Sequence, residues 1–69
     1  MAVRRIVIRN MSDGELRVML EPTTEQDDVE IGKSLSIEAK FKDHDLHIDI
    51  HSDDFISVWS PPGAVLKKV

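Results

Sequence analysis

Hydrophobic and polar side chains alternate along most of this chain. In four runs, at 6–8, 16–20, 35–41 and 46–50, an apolar residue occupies every second position, and mostly polar or charged residues stand between them. A period of two is typical of a β-strand that buries one face and exposes the other. The same spacing argues against a helix at 34–42, because an amphipathic helix needs a period near 3.6. The pattern therefore predicts an all-β chain.

Segments rich in turn-forming residues separate these runs. Asp13-Gly14 is a favoured hairpin pair and favours a hairpin between the first two strands. Pro22 ends the second run, since proline has no N–H to donate to a sheet. Further breaks lie at Gly32-Lys33 and at 60–63. This spacing predicts a compact antiparallel β-sandwich of six to seven short strands.

The apolar positions of the runs define the expected core. A short strand is also expected at 29–31 and a final strand at 64–69, whereas 21–30 is the longest irregular stretch and is expected to be a mobile loop. The expected core residues are Ile6, Ile8, Leu16, Val18, Leu20, Ile31, Leu35, Ile37, Phe41, Leu46, Ile48, Ile50, Ile56 and Val58.

Length and composition narrow the class of protein. The chain has 69 residues, which suits one domain spanning 1–69, and it has no cysteine, so no disulfide can stabilise its small core. Without disulfides, extra stabilisation of the core would have to come from a metal or from self-association. The lack of cysteine is also typical of a reducing compartment. The apolar stretch after Arg4 and Arg5 stops at Arg9, too early for an export signal or a membrane span. We expect a cytoplasmic protein that does not enter membranes.

Charge is distributed unevenly along the chain. The net charge is −4, with +2 on residues 1–20, −8 on 21–54 and +2 on 55–69. The acidic middle is expected to be a solvated surface, and nucleic-acid binding is not expected because it needs basic surface. Three arginines, Arg5, Arg9 and Arg17, would share an exposed face if the first two strands form a hairpin, and would balance the acidic strands there.

The order of several short motifs resembles that of a group of proteins. Leu-x-Val-x-Leu-Glu-Pro at 16–22 precedes an acidic loop, then Ile31-Gly32 and an alternating strand, then Ile56-x-Val58-Trp59 before Pro-Gly. This order resembles small uncharacterised bacterial β-sandwich proteins of cupredoxin-like or immunoglobulin-like topology. The resemblance implies the fold and no activity. A blue-copper site is excluded on chemistry, since it needs a cysteine thiolate.

The segment 43–54 holds the most suggestive side chains. It contains all three histidines and five acidic residues, and on a strand His47, Asp49 and His51 point to one face. His47 and His51 would be about 13 Å apart and could not share an ion, so either would pair with Asp49 and need a third ligand from a neighbouring strand. Zinc, copper or nickel suits imidazole with carboxylate. The alternative is the hydrated face of an amphipathic strand.

Three residues form a candidate interaction surface. Trp59, the only tryptophan, would either pack near a strand end or offer a stacking platform. Val7 and Met19 fall at outward positions of the first two strands and would expose apolar surface there.

The expected function is a non-catalytic binding or assembly module that binds an unknown protein partner or forms a weak homodimer. The sequence has no glycine-rich phosphate loop and no nucleophile elbow, so neither a cofactor nor catalytic residues are expected. The alternative is a small metal-binding protein that uses the His/Asp-rich strand at 43–54. An enzyme ranks third, since so small a chain has little room for a deep cleft.

Overall fold

The computed structural model of the protein describes residues 2–41 and 44–69. Within them the chain forms seven strands and no helix, which confirms the all-β prediction. These residues therefore include no apolar helix that could span a membrane. The strands are β1 (Ala2–Arg9), β2 (Leu16–Glu21), β3 (Glu25–Val29), β4 (Ser34–Phe41), β5 (His47–Ser52), β6 (Phe55–Trp59) and β7 (Lys67–Lys68). Lys42 and Asp43, which the sequence assigns to a polar turn, lie outside the described residues.

Two sheets pack against each other as a sandwich. Sheet A has the strand order β1-β4-β7, and sheet B has the order β3-β2-β6-β5. Among the described residues every pair is antiparallel except β2 with β6, which run parallel. The chain between β2 and β6 passes through both sheets and so has the length that a parallel pair requires. The antiparallel sandwich is therefore confirmed with this one exception, and β7 is shorter than the expected strand at 64–69.

The expected mobile loop at 21–30 is wrong for half of its length. Residues 25–29 form β3, which pairs with β2 from Leu16↔Val29 to Leu20↔Glu25. Thr24, with φ of 59°, lies in the turn that joins the two strands. The sequence Glu-Gln-Asp-Asp-Val lacks alternation because β3 is an edge strand, where charged side chains protect the free edge. Hydrogen bonding to β2 outweighs the low β propensity of these residues.

The expected hairpin between the first two strands is also wrong. β1 pairs with β4, with Ile6 opposite Ile37, and β2 lies in the other sheet. Residues 10–15 therefore cross from sheet A to sheet B, although they contain the Asp13-Gly14 pair. As a result Arg5 and Arg17 lie in different sheets and do not share the face that the sequence analysis proposed.

Asn10, which is 1% exposed, holds the segment 10–15 in place through hydrogen bonds. Its Nδ2 donates to the carbonyl oxygens of Gly14 and Val29, both at 2.8 Å. Its Oδ1 accepts from the backbone N–H of Ser12 at 3.0 Å and from the Ser12 hydroxyl at 2.6 Å. Its backbone N–H donates to Lys33 O at 2.9 Å. One side chain thus joins the end of β1 in sheet A to the end of β3 in sheet B.

The core lies between the inner faces of the two sheets. Ile6, Ile8, Leu16, Leu46 and Ile56 of the expected core are only partly buried. Ile31 is wrong, because it lies in the turn after β3 and is exposed. The buried apolar residues include three that the sequence analysis missed, Val29, Ala39 and Leu66; the full cluster is Val18, Leu20, Val29, Leu35, Ile37, Ala39, Phe41, Val58 and Leu66.

An ion-pair group closes one side of the sandwich. Lys68 in β7 stands opposite Ile37 and Asp27 in β3 stands opposite Val18, so both occupy inner-face positions. Lys68 Nζ lies 3.7 Å from Glu25 Oε1 and 3.9 Å from Asp27 Oδ2. Since β7 and β3 are the last strands of their sheets, their edges meet here. The other two edges, β1 and β5, therefore lie on the opposite side.

Candidate interaction surfaces

The three candidate metal ligands lie on β5, the edge strand of sheet B. His47 is opposite Trp59 in β6 and Asp49 is opposite Ser57, while an irregularity in the pairing falls between Ile50 and Ser52, at His51. Their side chains are on the outer face, because the alternate residues Ile48 and Ile50 face inward with Val58 and Ile56.

Two of these side chains are bound by β6. The indole Nε1–H of Trp59 donates to Asp49 Oδ2 at 2.9 Å. His51 Nε2 lies 2.8 Å from the Ser57 hydroxyl oxygen, and its ring stacks on Phe55 with centroids 4.6 Å apart and planes at 24°. These contacts fix the orientation of the Trp59 and His51 rings across the two strands. The outer face of β5 and β6 is thus a network of aromatic, imidazole and carboxylate groups.

The structure places His47, Asp49 and His51 on one face, as the strand geometry predicts. Over residues 2–41 and 44–69, no group of three or more His, Cys, Asp or Glu side chains is arranged to hold a metal ion. Asp43, part of the candidate segment, lies outside that range. The metal site stays a prediction, and any ligand use of Asp49 or His51 competes with the hydrogen bonds to Trp59 and Ser57.

The three candidate interaction residues do not form one surface. Trp59, 40% exposed, and Met19 occupy the outer face of sheet B, since Met19 lies opposite Ser57 and Trp59 follows Ser57 by two residues on β6. Val7, 55% exposed, occupies the outer face of sheet A opposite Ser36. The sandwich separates Val7 from the other two. The sequence did not predict this separation, because the order of strands along the chain does not show which sheet each strand joins.

Two of the three candidate arginines, Arg5 and Arg17, are paired with acids within their own sheets. Arg5 Nη2 lies 2.8 Å from Glu38 Oε2 across the β1–β4 pair. Arg17 Nε lies 3.7 Å from Asp28 Oδ1 across the β2–β3 pair. The expected charge balance against acidic strands is thus present for both residues, although on two separate faces.

The most exposed apolar side chains of β5 belong to its inner face. Ile48 is opposite Val58, which is fully buried, yet Ile48 is 46% exposed and Ile50 is 79% exposed. Sheet B has four strands and sheet A has three, so sheet A does not extend over β5. The sequence analysis assigned both isoleucines to the core, which is wrong. Alternation identifies the inward face of a strand but not whether an opposing strand covers it.

We call the edges of β1 and β5, together with Ile48 and Ile50, the open side. Among the described residues β1 pairs only with β4, and β5 only with β6, so each strand has one hydrogen-bonding edge free. On the inner face of β1, the Arg4 guanidinium carbon lies 5.6 Å from the Phe41 ring centroid. The open side therefore combines unpaired strand edges with uncovered apolar surface.

The two edges of the open side carry opposite charge. β1 contains Arg4, Arg5 and Arg9 and no acid, whereas 44–54 contains four aspartates and no lysine or arginine. Free edges are normally protected by charge of this kind. Here the protection of one edge is complementary to that of the other.

Comparison with known proteins gave no match to a family model, to a curated protein or to a solved structure. The resemblance to small bacterial β-sandwich proteins is therefore a prediction that these comparisons leave open.

Proposed function

We propose that this protein is a non-catalytic binding and assembly module that binds another polypeptide through its open side. The observation that carries this proposal is the exposure of Ile48 and Ile50 on the inner face of an edge strand. Inner-face side chains of a sandwich are normally covered, and exposed apolar surface of this kind is typical of interaction sites. A partner strand beside β5 would cover both residues.

Strand addition is the recognition mode that fits the open side. An extended polypeptide that adds to a free sheet edge gains backbone hydrogen bonds, and its alternate side chains contact the two faces of the sheet. Beside β5, one set of alternate side chains would contact Ile48 and Ile50. The other set would lie near Asp49 and the acids at both ends of β5, so basic residues are favoured there.

Selection of binding peptides tests this function directly. A library of random peptides displayed on phage is selected on the protein, and enriched peptides are mapped by the NMR shifts of backbone amides. We expect peptides with alternating apolar and basic residues, and we expect the largest shifts in β5. Ile50→Lys should abolish binding, because it places a charge where the partner's apolar side chains lie.

Met11→Lys is the matched control for this variant. Met11 is 78% exposed and Ile50 is 79% exposed, so the two substitutions add the same charge at equally exposed apolar positions. Met11 lies in the crossing segment and not on the open side, so its variant should bind as the original protein does. Selection of no peptide, or of peptides that bind Ile50→Lys unchanged, would overturn the proposal.

Location and partner class complete the proposal. We place the module in the cytoplasm, on the evidence of a chain without cysteine. A nucleic-acid partner is not favoured, since the net charge is −4.

A further inference from the structure

We infer that the partner at the open side is a second copy of this chain, related by a two-fold axis, so that β1 of each copy adds to β5 of the other. This inference rests on the proposed function. Its first support is charge: a contact of β1 with β1 would oppose arginines, and a contact of β5 with β5 would oppose aspartates, whereas β1 with β5 joins opposite charges.

The second support is the symmetry of the sandwich. β1 is an edge of sheet A and β5 is an edge of sheet B, and both lie on the same side because β7 and β3 meet on the other. A two-fold axis through the open side exchanges the sheets, so it brings β1 of one copy to β5 of the other at two equivalent places. Both free edges are then used, and the assembly closes as a dimer.

Strand direction makes these contacts parallel. Asn10 ties the end of β1 to the end of β3, so these strands run the same way. β5 also runs with β3, because β2 is antiparallel to β3, β6 is parallel to β2 and β5 is antiparallel to β6. The two-fold axis that exchanges the sheets at the open side runs along the strands and keeps their direction, so β1 meets β5 of the partner subunit in the parallel sense.

Side-chain alternation and charge select one register. Inward residues of β1 must align with inward residues of β5 if the apolar surface is to be continuous. With Ile6 opposite Ile50 of the partner subunit, Arg5 falls opposite the partner's Asp49 and Arg9 falls near the partner's Asp53. Arg4 then faces the partner's Ile48, which its aliphatic stem can cover.

The pair of Arg9 with Asp53 is the one to test, because both residues are exposed and neither belongs to the core. Sedimentation from micromolar to millimolar protein should show a monomer that converts to a dimer. Arg9→Asp and Asp53→Arg should each weaken the dimer about tenfold or more, since each creates a like-charge pair at two symmetric places. The double variant should restore the association of the original protein.

Two matched variants control for net charge. Lys40→Asp changes the charge as Arg9→Asp does but on the central strand β4, and Glu30→Arg changes it as Asp53→Arg does but after β3, on the side where β3 meets β7. Both should leave the dimer unchanged, and circular dichroism of every variant should retain the β spectrum.

The outcomes separate this inference from the proposed function. A protein that is monomeric at millimolar concentration, but whose β5 still binds selected peptides, refutes the dimer alone. A dimer that the charge reversals do not weaken, or that the double variant does not restore, refutes the pairing of β1 with β5. A monomer that also binds no peptide at β5 refutes both.

Discussion

Asn10→Ala is the substitution that best tests our account of how the two sheets are joined. Asn10 is 1% exposed, and its Nδ2 donates to Val29 O and Gly14 O at 2.8 Å. Alanine removes both donors, one of them in a buried hydrogen bond, and the loss of such a bond costs about 1–3 kcal/mol. Because the site of Gly14 is only partly buried, we expect a total loss of about 2–4 kcal/mol in the free energy of unfolding.

That loss is large for a domain of 69 residues, whose total stability is expected to be about 3–10 kcal/mol at 0.05–0.15 kcal/mol per residue. Urea unfolding followed by circular dichroism measures it, with the m-value as a check that the unfolded state is unchanged. The melting temperature should fall by at least about 8 °C. Ser12→Ala is the control, since it removes the hydroxyl bonds of an exposed residue to Asn10 Oδ1 and Gly14 O but keeps the backbone N–H bond to Oδ1, and it should cost about 1 kcal/mol or less. A loss below about 0.5 kcal/mol for Asn10→Ala would refute the reasoning.

Two further predictions concern the outer face of β5 and β6. Trp59→Phe removes the N–H that donates to Asp49 while keeping an aromatic ring; because the bond is exposed, unfolding in urea should show a loss of at most about 1 kcal/mol, and a larger loss would contradict its surface character. Titration with zinc, monitored by NMR shifts, should show weak binding at most, centred on His47 and Asp49, since Asp49 is already bound by Trp59. Sub-micromolar zinc affinity that is lost in His47→Ala would instead favour a metal-binding protein.

The sequence predicted the positions of the strands better than it predicted which strands lie next to each other in the sheets. Alternation identified β1, β2, β4 and β5, because a strand that packs one face on a core needs apolar residues at every second position. It missed β3, because the mostly polar residues of this edge strand do not alternate with apolar ones.

The sequence pattern did not predict which strands pair or which inward side chains the opposite sheet covers. The Asp13-Gly14 pair favoured a local hairpin, but Asn10 bonds to both sheets and directs the chain across the sandwich. Likewise Ile48 and Ile50 have the spacing of core residues, and only the width of the opposing sheet leaves them exposed. The aspartates at 45 and 49, next to these isoleucines, are the one sequence signal that β5 is an edge strand. The outward direction of His47, Asp49 and His51 followed from the strand period, whereas their hydrogen bonds to β6 did not.

The pairing of β1 with β4 also sets an order for folding during synthesis on the ribosome. Ala2 pairs with Phe41 and Arg9 with Ser34, so β1 has no partner in its sheet until the chain has been extended through β4. β2 can form its hairpin with β3 early, but its other neighbour, β6, is made much later. Contacts so distant in sequence slow folding. We therefore expect the arginines of β1 to keep the unpaired nascent strand hydrated and apart from other chains until β4 leaves the ribosome.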